Sequence, residues 1–341
     1  MNFVSDNQAG AHPSVLAAIA EASAGTSAGY GEDALTAAAE SAVRDVFETE
    51  CDVFFVTTGT AANALALSAL CPPWGAIYCH DGAHIQNDEN TAVELYTGGA
   101  KMAPIAGEGG KPDPLLMRSH IEIATVHGVH NARPGAISLS NLSESGTVYR
   151  SEDVAPYQSL ADEYELTLHM DGARFANAVV SSGESPAELT WRAGVDCLSF
   201  GLTKNGGIAM EAVVMFNRAL AEQFAYRRKR AGHLWSKQRF IAAQWLALLT
   251  DDLWLVNAEH ANAMAKELAG GFASHADIDL PWPVEGNELF PVMSEKMRES
   301  LRAAGLEFYD WPARPNMARF VTNFTTEPGD IARALEVIAT V

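Results

Sequence analysis

Two charged residues of this chain each stand at the end of a short apolar run of strand length. Asp171 ends the run 166–171, and Lys204 ends the run 196–204, thirty-three residues after the aspartate. In open α/β sheets, ligands bind at the carboxyl ends of the strands. A carboxylate there can keep a ring nitrogen protonated, and an amine there can form an imine with an aldehyde. The two residues therefore predict a site for carbonyl chemistry at the edge of a sheet.

Pyridoxal 5'-phosphate (PLP) needs this combination of an acid and an amine. Asp171 has an alternative role as a helix cap or as a buried partner of Arg174. An isolated lysine is usually a solvated surface charge, but Lys204 follows an apolar run and precedes Asn205-Gly206-Gly207 rather than an amphipathic helix. We predict that PLP is the cofactor, with Lys204 and Asp171 as catalytic residues that form the Schiff base and hold the pyridine nitrogen protonated.

A candidate phosphate site lies in the segment 56–63, between a strand-like run and a helical pattern. Small residues let backbone N–H groups approach an anion, and a helix N-terminus supplies positive potential. The alternative is an ordinary turn in which Thr60 caps the helix. We predict that Gly59 and Thr60 bind the cofactor phosphate.

His84 follows the next predicted strand. Its flat ring could stack on the cofactor and lie near a substrate β-hydroxyl, so we predict a catalytic and cofactor-binding role. His80 lies four residues earlier, with Asp81 and Asp88 nearby, and two histidines at that spacing can bind zinc from one face of a helix. Gly82 disfavours a helix here. We therefore predict no metal site.

Two arginines are candidates for anion binding. Arg174 lies three residues after Asp171 and could reach the cofactor phenolate or a substrate carboxylate; the alternative is a surface ion pair of little energy. Arg319 lies in the alternating run 317–324 and could bind a substrate α-carboxylate through two parallel hydrogen bonds. Its alternative is an edge-strand arginine in solvent. We predict that Arg174 binds cofactor and substrate and that Arg319 binds substrate.

Composition excludes several classes of partner. The 341 residues include 23 lysines and arginines against 43 aspartates and glutamates, which gives a net charge of −20. A chain this acidic repels nucleic acid and anionic lipid. No apolar stretch approaches the length of a membrane span, and the first residues lack the features of a signal peptide. The four cysteines form no CxxC pair, which is typical of inert thiols in a reducing compartment. We predict a cytoplasmic protein that acts on a small molecule.

Strand-like and helical segments alternate along most of the chain. The predicted strands are 53–56, 76–79, 136–142, the Asp171 and Lys204 runs and 211–217; the predicted helices are 14–23, 34–48, 61–70 and 153–165, followed by a helical stretch over 218–250. This order predicts an α/β fold with a mainly parallel sheet covered on both faces. We predict an N-terminal arm (1–13), a large PLP-binding domain (14–252) and a small α+β C-terminal domain (253–341).

Two further motifs have less specific interpretations. The segment 107–112 contains Gly-Gly-Lys but has neither the spacing nor the Ser/Thr of a phosphate-binding P-loop. The basic run 227–230 is typical of a solvated helix face on an acidic protein, or it clamps the PLP phosphate.

In this order, the motifs resemble those of the L-threonine aldolase family of PLP-dependent enzymes, which have the aspartate aminotransferase fold (PLP fold type I). The resemblance covers nearly the whole chain. The matching motifs are Ser5-Asp6-Asn7, Tyr30-Gly31-Glu32-Asp33, Gly59-Thr60, His84, Met170-Asp171-Gly172-Ala173-Arg174, Thr203-Lys204 and Arg319-Phe320-Val321-Thr322. The aspartate motif is the most specific of them.

The resemblance implies further roles and an assembly. Ser5 would contact the substrate carboxylate together with Arg319, and Tyr30 would face the site of a neighbouring subunit. Active sites would be built by dimers, often within homotetramers. Of the basic residues after the lysine, Lys237 is the predicted phosphate ligand, with Lys229 and Arg239 as the other candidates.

The chain also departs from the family pattern. The stretch 140–145 has no histidine where many members have one, and Asp88 stands where many have an aromatic residue. The glycine-rich basic motif after Lys204 is replaced by the segment 232–239. These features resemble the bacterial low-specificity branch, which includes phenylserine-active enzymes.

We therefore predict a PLP-dependent lyase. It would cleave L-threonine, L-allo-threonine or related L-β-hydroxy-α-amino acids, phenylserine among them, to glycine and an aldehyde by a retro-aldol reaction. The predicted base is His84, directly or through water, or a group near Glu144. The alternatives are another PLP reaction (β-elimination, racemisation or transamination) and a non-catalytic PLP-fold binding protein. A dinucleotide-dependent oxidoreductase ranks last because no G-x-G-x-x-G follows the first strand.

Overall fold

A seven-stranded sheet positions the residues with predicted chemistry. The computed structural model describes residues 1–312 and 314–340. The strands of this sheet are β1 Asp52–Val56, β2 Gly75–His80, β3 Lys101–Ile105, β4 Arg133–Ser140, β5 Thr167–Gly172, β6 Cys197–Gly201 and β7 Glu211–Met215. Their order is β1-β7-β6-β5-β4-β2-β3. Strand β7 runs antiparallel to both its neighbours, and the other neighbouring pairs are parallel. The predicted α/β fold with a mainly parallel sheet is confirmed.

Helices cover both faces of this sheet. The helices that precede the C-terminal part of the chain are α1 Pro13–Ala22, α2 Ala34–Phe47, α3 Gly59–Leu70, α4 His84–Asn87, α5 Ala92–Thr97, α6 Pro114–Val126, α7 Ser151–Tyr164, α8 Phe175–Ser182, α9 Phe224–Arg230, α10 Arg239–Leu249 and α11 Leu253–Ala273. Helices α12 Glu295–Ala303 and α13 Pro328–Thr340 pack in a separate core in the C-terminal part. Alternate residues of β2 enter two different cores: Ala76 and Tyr78 one, Ile77 and Cys79 the other. Side chains of a strand alternate between faces, so each face of the sheet has its own apolar core.

The structure differs from the sequence-based prediction in several segments, and helices α6 and α8 were not predicted. The stretch 218–250 is not one helix, because α9 ends at Arg230 and α10 begins at Arg239. Gly232 has φ +82°, a left-handed conformation that ends helices. Strand β3 was not predicted; it contains Pro104 and lies at the edge of the sheet, where a missing N–H is tolerated.

A second, antiparallel sheet lies in the C-terminal part of the chain. Its strands are β8 Glu288–Leu289, β9 Tyr309–Asp310 and β10 Ala318–Val321, in the order β8-β10-β9. Phe3 is buried in the core of this sheet, and its backbone bonds to Glu307 and Val321. The N-terminal segment is therefore anchored there, and this places residues 5–7 beside the large sheet.

Helix α11 contributes to the cores of both sheets. Trp254 and Ala258 belong to the core of the large sheet, and Leu268 and Phe272 belong to that of the small one. The division of the chain at residue 252 therefore stays a prediction. Among the described helices, none combines the length and the apolarity that a membrane span requires.

Candidate active site

A cavity of about 290 Å³ opens at the carboxyl ends of β4, β5 and β6. In the register of the sheet, Ser140 lies opposite Asp171, and Asp171 lies opposite Ser199. The cavity lining includes these predicted site residues: Gly59, Thr60, His84, Asp171, Arg174 and Lys204. The structure thus brings together the acid and the amine from which the sequence-based prediction began.

Lys204 lies in a short turn, Thr203–Asn205, three residues after the end of β6, and not at the end of the strand as predicted. Two hydrogen bonds hold this turn: Met210 N–H donates to Thr203 Oγ1 (2.9 Å), and Asn205 Nδ2 donates to Trp254 O (2.7 Å). Within residues 1–312 and 314–340, the Lys204 amine has neither a hydrogen bond nor an ion pair. The turn therefore presents a half-buried amine to the cavity.

Asp171 is buried and held at both carboxylate oxygens. Asn63 Nδ2 donates to Oδ2 (2.8 Å), and Ala173 N–H donates to Oδ1 (2.9 Å). Asn63 Nδ2 also donates to Glu89 Oε1 (2.8 Å), which accepts a second bond from His84 Nδ1 (2.8 Å). We call these four residues the Asp171 network. It fixes the orientation of the predicted pyridine-nitrogen acid and connects it to the predicted ring-stacking histidine.

The network perturbs the acid–base properties of its members. Burial raises the pKa of Glu89, because a charged carboxylate is poorly solvated there. The hydrogen bond to Glu89 in turn raises the pKa of His84. Because Nδ1 is bonded to Glu89, Nε2 is the ring nitrogen of His84 that remains for a ligand.

Asn63 and Glu89 were missed by the sequence-based prediction. Helix α3 is apolar on nearly all sides, and Asn63 is buried in it. A buried amide requires hydrogen-bond partners. An asparagine inside an apolar helix therefore indicates a buried polar partner and could have been used to predict Asn63 as a site residue. Glu89 follows α4 in a polar stretch and carries no comparable signal.

Two further acidic residues line the cavity: Glu211, which is buried, and Glu144, which is half-buried but has a buried Oε2. Glu144 Oε1 accepts the backbone N–H of His84 (2.9 Å) and the hydroxyl of Ser140 (2.8 Å), and burial raises the pKa of Glu144. Burial also raises the pKa of Glu211, the first residue of β7, to about 7. Glu211 can therefore exchange protons near neutral pH, and the cavity holds two further carboxyls, Glu89 and Glu144, whose pKa is raised by burial.

The predicted phosphate site is a recess at the start of α3. Thr58, not Thr60, is the N-cap residue: its Oγ1 accepts from Ala61 N–H (3.1 Å) and its carbonyl from Ala62 N–H (3.0 Å). The N–H groups of Gly59 and Thr60 have no acceptor in the part of the chain that the structure describes. Two free donors at the N-terminus of a 12-residue helix fit an anion.

Basic groups lie close to this recess. Thr57 Oγ1 is 3.1 Å from His233 Nδ1, and Arg228 Nη1 donates to Phe55 O (3.4 Å). The Nε of Arg228 is buried without a partner among the described residues. The basic run 227–230 thus reaches the neighbourhood of the recess through Arg228, whereas His233 was not predicted.

Arg174 is held in a buried ion-pair cluster. Its Nε and Nη2 bind the two carboxylate oxygens of Asp6 (2.7 and 3.0 Å), and its Nη1 lies 3.3 Å from Glu288 Oε2. Asn287 Nδ2 donates to Asp6 Oδ2 (3.1 Å), and Arg319 Nη1 lies 3.9 Å from Glu288 Oε1. We call these five residues the Arg174 cluster. The alternative of a surface ion pair is wrong, since both acids are almost fully buried.

The cluster also governs the charge of Asp6. Burial by itself raises the pKa of Asp6, but the charges of Arg174 and Lys204 outweigh burial and the net pKa is lowered. Asp6 is therefore an anion at neutral pH, and Arg174 already has acid partners on all three guanidinium nitrogens.

The structure does not bring four predicted residues to the cavity lining. Ser5 caps the turn Asp6–Gln8 by accepting the N–H of Asn7 (3.2 Å), and Asn7 lines the cavity instead. Arg319 is mostly buried and reaches the carbonyl of Val4 (3.4 Å). Tyr30 and Lys237 line a separate cleft of about 560 Å³. The roles of these four residues stay predictions.

No group of three or more His, Cys, Asp and Glu side chains within the described ranges could hold a metal ion. The residues of the cavity do fit PLP. The recess offers two free N–H donors to its phosphate, Asp171 offers a fixed carboxylate to its ring nitrogen, and Lys204 offers an unpaired amine to its aldehyde.

Comparisons with known proteins agree with this arrangement. The family model described as "Beta-eliminating lyase" matches residues 2–296. A low specificity L-threonine aldolase of Pseudomonas aeruginosa is 45% identical over 98% of this chain and 95% of its own length. A second one, from Pseudomonas sp., is 43% identical over 99% and 96%.

Solved structures give the same result for the fold. A threonine aldolase of Leishmania major superposes with a TM-score of 0.93 at 29% identity, covering 99% of this chain and 98% of that one. An aspartate aminotransferase of Rhodobacter sphaeroides superposes with a TM-score of 0.72 at 16% identity, covering 100% and 92%. The second likeness concerns the fold alone.

Proposed function

We propose that this chain, which belongs to the beta-eliminating lyase family and within it to the low-specificity L-threonine aldolases, cleaves L-β-hydroxy-α-amino acids to glycine and an aldehyde. Its fold is PLP fold type I, and its cofactor is PLP. The observation that carries the proposal is that Asp171, fixed at both oxygens, and the unpaired amine of Lys204 line one cavity in a chain of this family. L-threonine and L-allo-threonine are the proposed substrates, with phenylserine among the larger ones.

Four groups of the chain would hold the cofactor. Lys204 would bind its aldehyde carbon, Asp171 its ring nitrogen, the N–H groups of Gly59 and Thr60 its phosphate, and His84 one face of its ring. When bound, PLP withdraws electron density from the substrate bond that breaks. Asn63 and Ala173 N–H keep the carboxylate of Asp171 from rotating, so that this group can maintain a proton on the ring nitrogen.

Substrate orientation depends on the Arg174 cluster. Arg319 and Ser5 are proposed to bind the α-carboxylate, and Arg174 to hold Asp6 and thereby residues 5–7 beside the cavity. A carboxylate that bound Arg174 directly would have to displace Asp6 from a pair of hydrogen bonds. Fixing the carboxylate in one place sets which substrate bond is broken, and such positioning supplies much of the rate in reactions of this kind.

Assembly and location are also part of the proposal. Tyr30 and Lys237 lie together, away from the cavity of their own chain, which supports a homo-oligomer, dimer-built and tetrameric, in which they serve a neighbour's site. The four cysteines are free and buried, which supports a reducing compartment such as the cytoplasm.

A second candidate activity follows from the description of the family model, "Beta-eliminating lyase". Elimination would release a keto acid and ammonia from the substrate, whereas retro-aldol cleavage releases glycine and an aldehyde. The two reactions are therefore separated by their products alone.

The experiment incubates the purified protein and PLP with L-threonine, L-allo-threonine and L-phenylserine, and measures glycine, aldehyde, keto acid and ammonia. We expect equal amounts of glycine and aldehyde from at least one substrate, and no turnover by Lys204→Ala. Keto acid and ammonia as the main products would support elimination instead. A Lys204→Ala protein with the wild-type kcat would overturn the proposed site.

A further inference from the structure

Glu144 uses its two carboxyl oxygens in different ways. Oε1 is fixed by His84 N–H and by the Ser140 hydroxyl. Oε2 is buried and has no hydrogen-bond partner among the residues that the structure describes. A buried carboxyl oxygen without a partner loses the free energy of a hydrogen bond. Because Glu144 lines the cavity, a ligand bound there can supply that bond.

We propose that Glu144 Oε2 accepts the proton of the substrate β-hydroxyl during cleavage. The inference rests on the proposed retro-aldol function and names its base. Glu144 and His84 line the same cavity and are joined by a hydrogen bond, so Glu144 lies on the side of the cavity where His84 would meet the cofactor ring.

The proton and electron balance of the step is complete. The O–H bond breaks and its proton passes to Glu144 Oε2, while its electron pair forms the C=O bond of the aldehyde. The Cα–Cβ bond breaks and its electron pair remains with the glycine fragment, whose Cα then takes up one proton. Glu144 releases its proton to water, so no net proton is produced or consumed.

The charges around Glu144 favour a basic carboxylate. It faces Asp171 from β5, His84 from α4, Cys79 from β2 and Tyr149 from the loop after β4. Asp171 and burial both raise the pKa of Glu144, and no lysine or arginine lies within 4 Å of it in the described ranges. A base is most effective when its pKa approaches the working pH.

The other acid–base groups of the cavity, Glu89, Glu211 and His84, have different contacts. Glu89 Oε1 already accepts bonds from His84 and Asn63, and the charge of Lys204 acts on Glu211. The raised pKa of His84 favours its protonated ring, which is a poorer proton acceptor than a neutral one. Glu89 Oε2 is, like Glu144 Oε2, buried without a partner among the described residues, but Asn63 bonds both Glu89 and Asp171, so Glu89 lies on the side of the cavity that would hold the ring nitrogen. These contacts give Glu89 and His84 positioning roles and leave Glu144 as the proposed base.

The test compares variants of the PLP-bound enzyme in two reactions. One is the cleavage of L-threonine, and the other is proton exchange at the Cα of glycine, which has no β-hydroxyl. In Glu144→Gln, kcat for L-threonine should fall about 10²-fold. Exchange of the glycine Cα proton with deuterated water should stay within a few-fold of wild type, because no hydroxyl proton moves in it. Glu144→Asp, which keeps the acid, should recover part of the loss. Glu94→Gln is the matched control, since Glu94 Oε2 is also buried without a partner but does not line the cavity; its kcat should not change.

A readout without turnover uses coenzyme-free protein. The infrared difference between wild type and Glu144→Gln, recorded as a function of pH, should show the carboxyl of Glu144 titrating at a higher pH than an ordinary glutamate. If Glu144→Gln cleaves L-threonine as fast as the wild type, Glu144 is not the base, and the proposed aldolase function is unaffected. Parallel loss of cleavage and glycine exchange would also overturn it, because Glu144 would then serve the fold or the cofactor. A wild type that cleaves none of the three hydroxy amino acids would overturn the proposed function itself.

Discussion

The Asp171 network and the Arg174 cluster both lie buried beside the cavity, but they balance charge differently. The network joins two carboxylates through one amide and ends on a histidine that is 44% exposed at its side chain. The cluster pairs two acids with two arginines, and its members come from the N-terminal segment, the turn after β5 and the C-terminal part of the chain that forms the small sheet. An excess of acid beside a cavity shifts pKa values and suits proton chemistry. A balanced, buried ion-pair cluster suits the positioning of segments, because breaking one pair leaves a charge without a partner.

The largest effect is expected from the network. Asp171→Asn should lower kcat for L-threonine about 10²-fold, a loss of about 3 kcal/mol of transition-state stabilisation, because a neutral amide cannot hold a proton on the ring nitrogen. The measurement is kcat at saturating PLP, with circular dichroism to show that the fold is unchanged. A kcat within threefold of wild type would show that Asp171 is not the acid that keeps the ring nitrogen protonated.

Substitutions in the Arg174 cluster should lower the free energy of unfolding more than they lower the reaction rate. Asp6→Asn leaves Arg174 without its bidentate partner, and we expect a loss of about 3 kcal/mol in the free energy of unfolding at pH 7. Glu48→Gln, which breaks the exposed pair with Arg192, should cost less than about 1 kcal/mol. Urea unfolding of both variants measures the contrast.

The pH dependence of this loss has a fixed sign. The pKa of Asp6 is lower in the folded protein than its ordinary value of 3.8, so its stabilising effect is present above pH 3.8 and is lost as the pH falls through the folded value. The difference between wild type and Asp6→Asn should therefore be constant near neutrality and shrink in acid. A difference that grows in acid would contradict the assignment of the pair.

A smaller effect should follow from the middle of the network. Glu89→Gln removes the carboxylate that raises the pKa of His84, so the ring should lose its proton at a lower pH than in wild type. We also expect kcat to fall about 10-fold, or about 1.4 kcal/mol. An NMR titration of the His84 ring measures the first effect, and an unchanged midpoint would show that Glu89 does not set the charge of His84.

The two regions also differ in how far the sequence predicted them. Asp171 and Lys204 were predicted because each follows a contiguous apolar run, and strands that alternate with helices bring such ends to one edge. The position of Lys204 three residues beyond its strand was not predicted, because a run of apolar residues does not mark where the hydrogen-bonded ladder stops.

The Arg174 cluster depends on contacts that no local pattern encodes. Arg174 and Asp6 are 168 residues apart, and Asp6 and Asn287 are 281 apart. Glu144, Glu211 and Glu89 stand in segments that are typical of solvated loops or strand ends, so their burial became visible only with the packing of neighbouring elements. Asn63 is the exception, since a polar residue within an apolar helix indicates a buried partner.

The smallest predicted effect separates two roles of Arg319. If Arg319 binds the substrate carboxylate, Arg319→Ala should raise KM several-fold and leave kcat nearly unchanged. If it only supports Glu288 within the cluster, the variant should unfold at lower urea concentration with an unchanged KM. Steady-state kinetics with urea unfolding of the same preparation decides between them, with Arg319→Lys to test for a bidentate contact.

The central claim is that Lys204 is the amine that holds PLP opposite Asp171. Sodium borohydride fixes PLP covalently to the lysine that binds it, and peptide mass spectrometry then identifies the labelled residue. We predict a phosphopyridoxyl group on Lys204. In Asp171→Asn protein the label on Lys204 should be much weaker only if that variant binds PLP less tightly. A label on Lys229, Lys237 or another lysine, or no label on Lys204 in protein that cleaves L-threonine, would contradict the account.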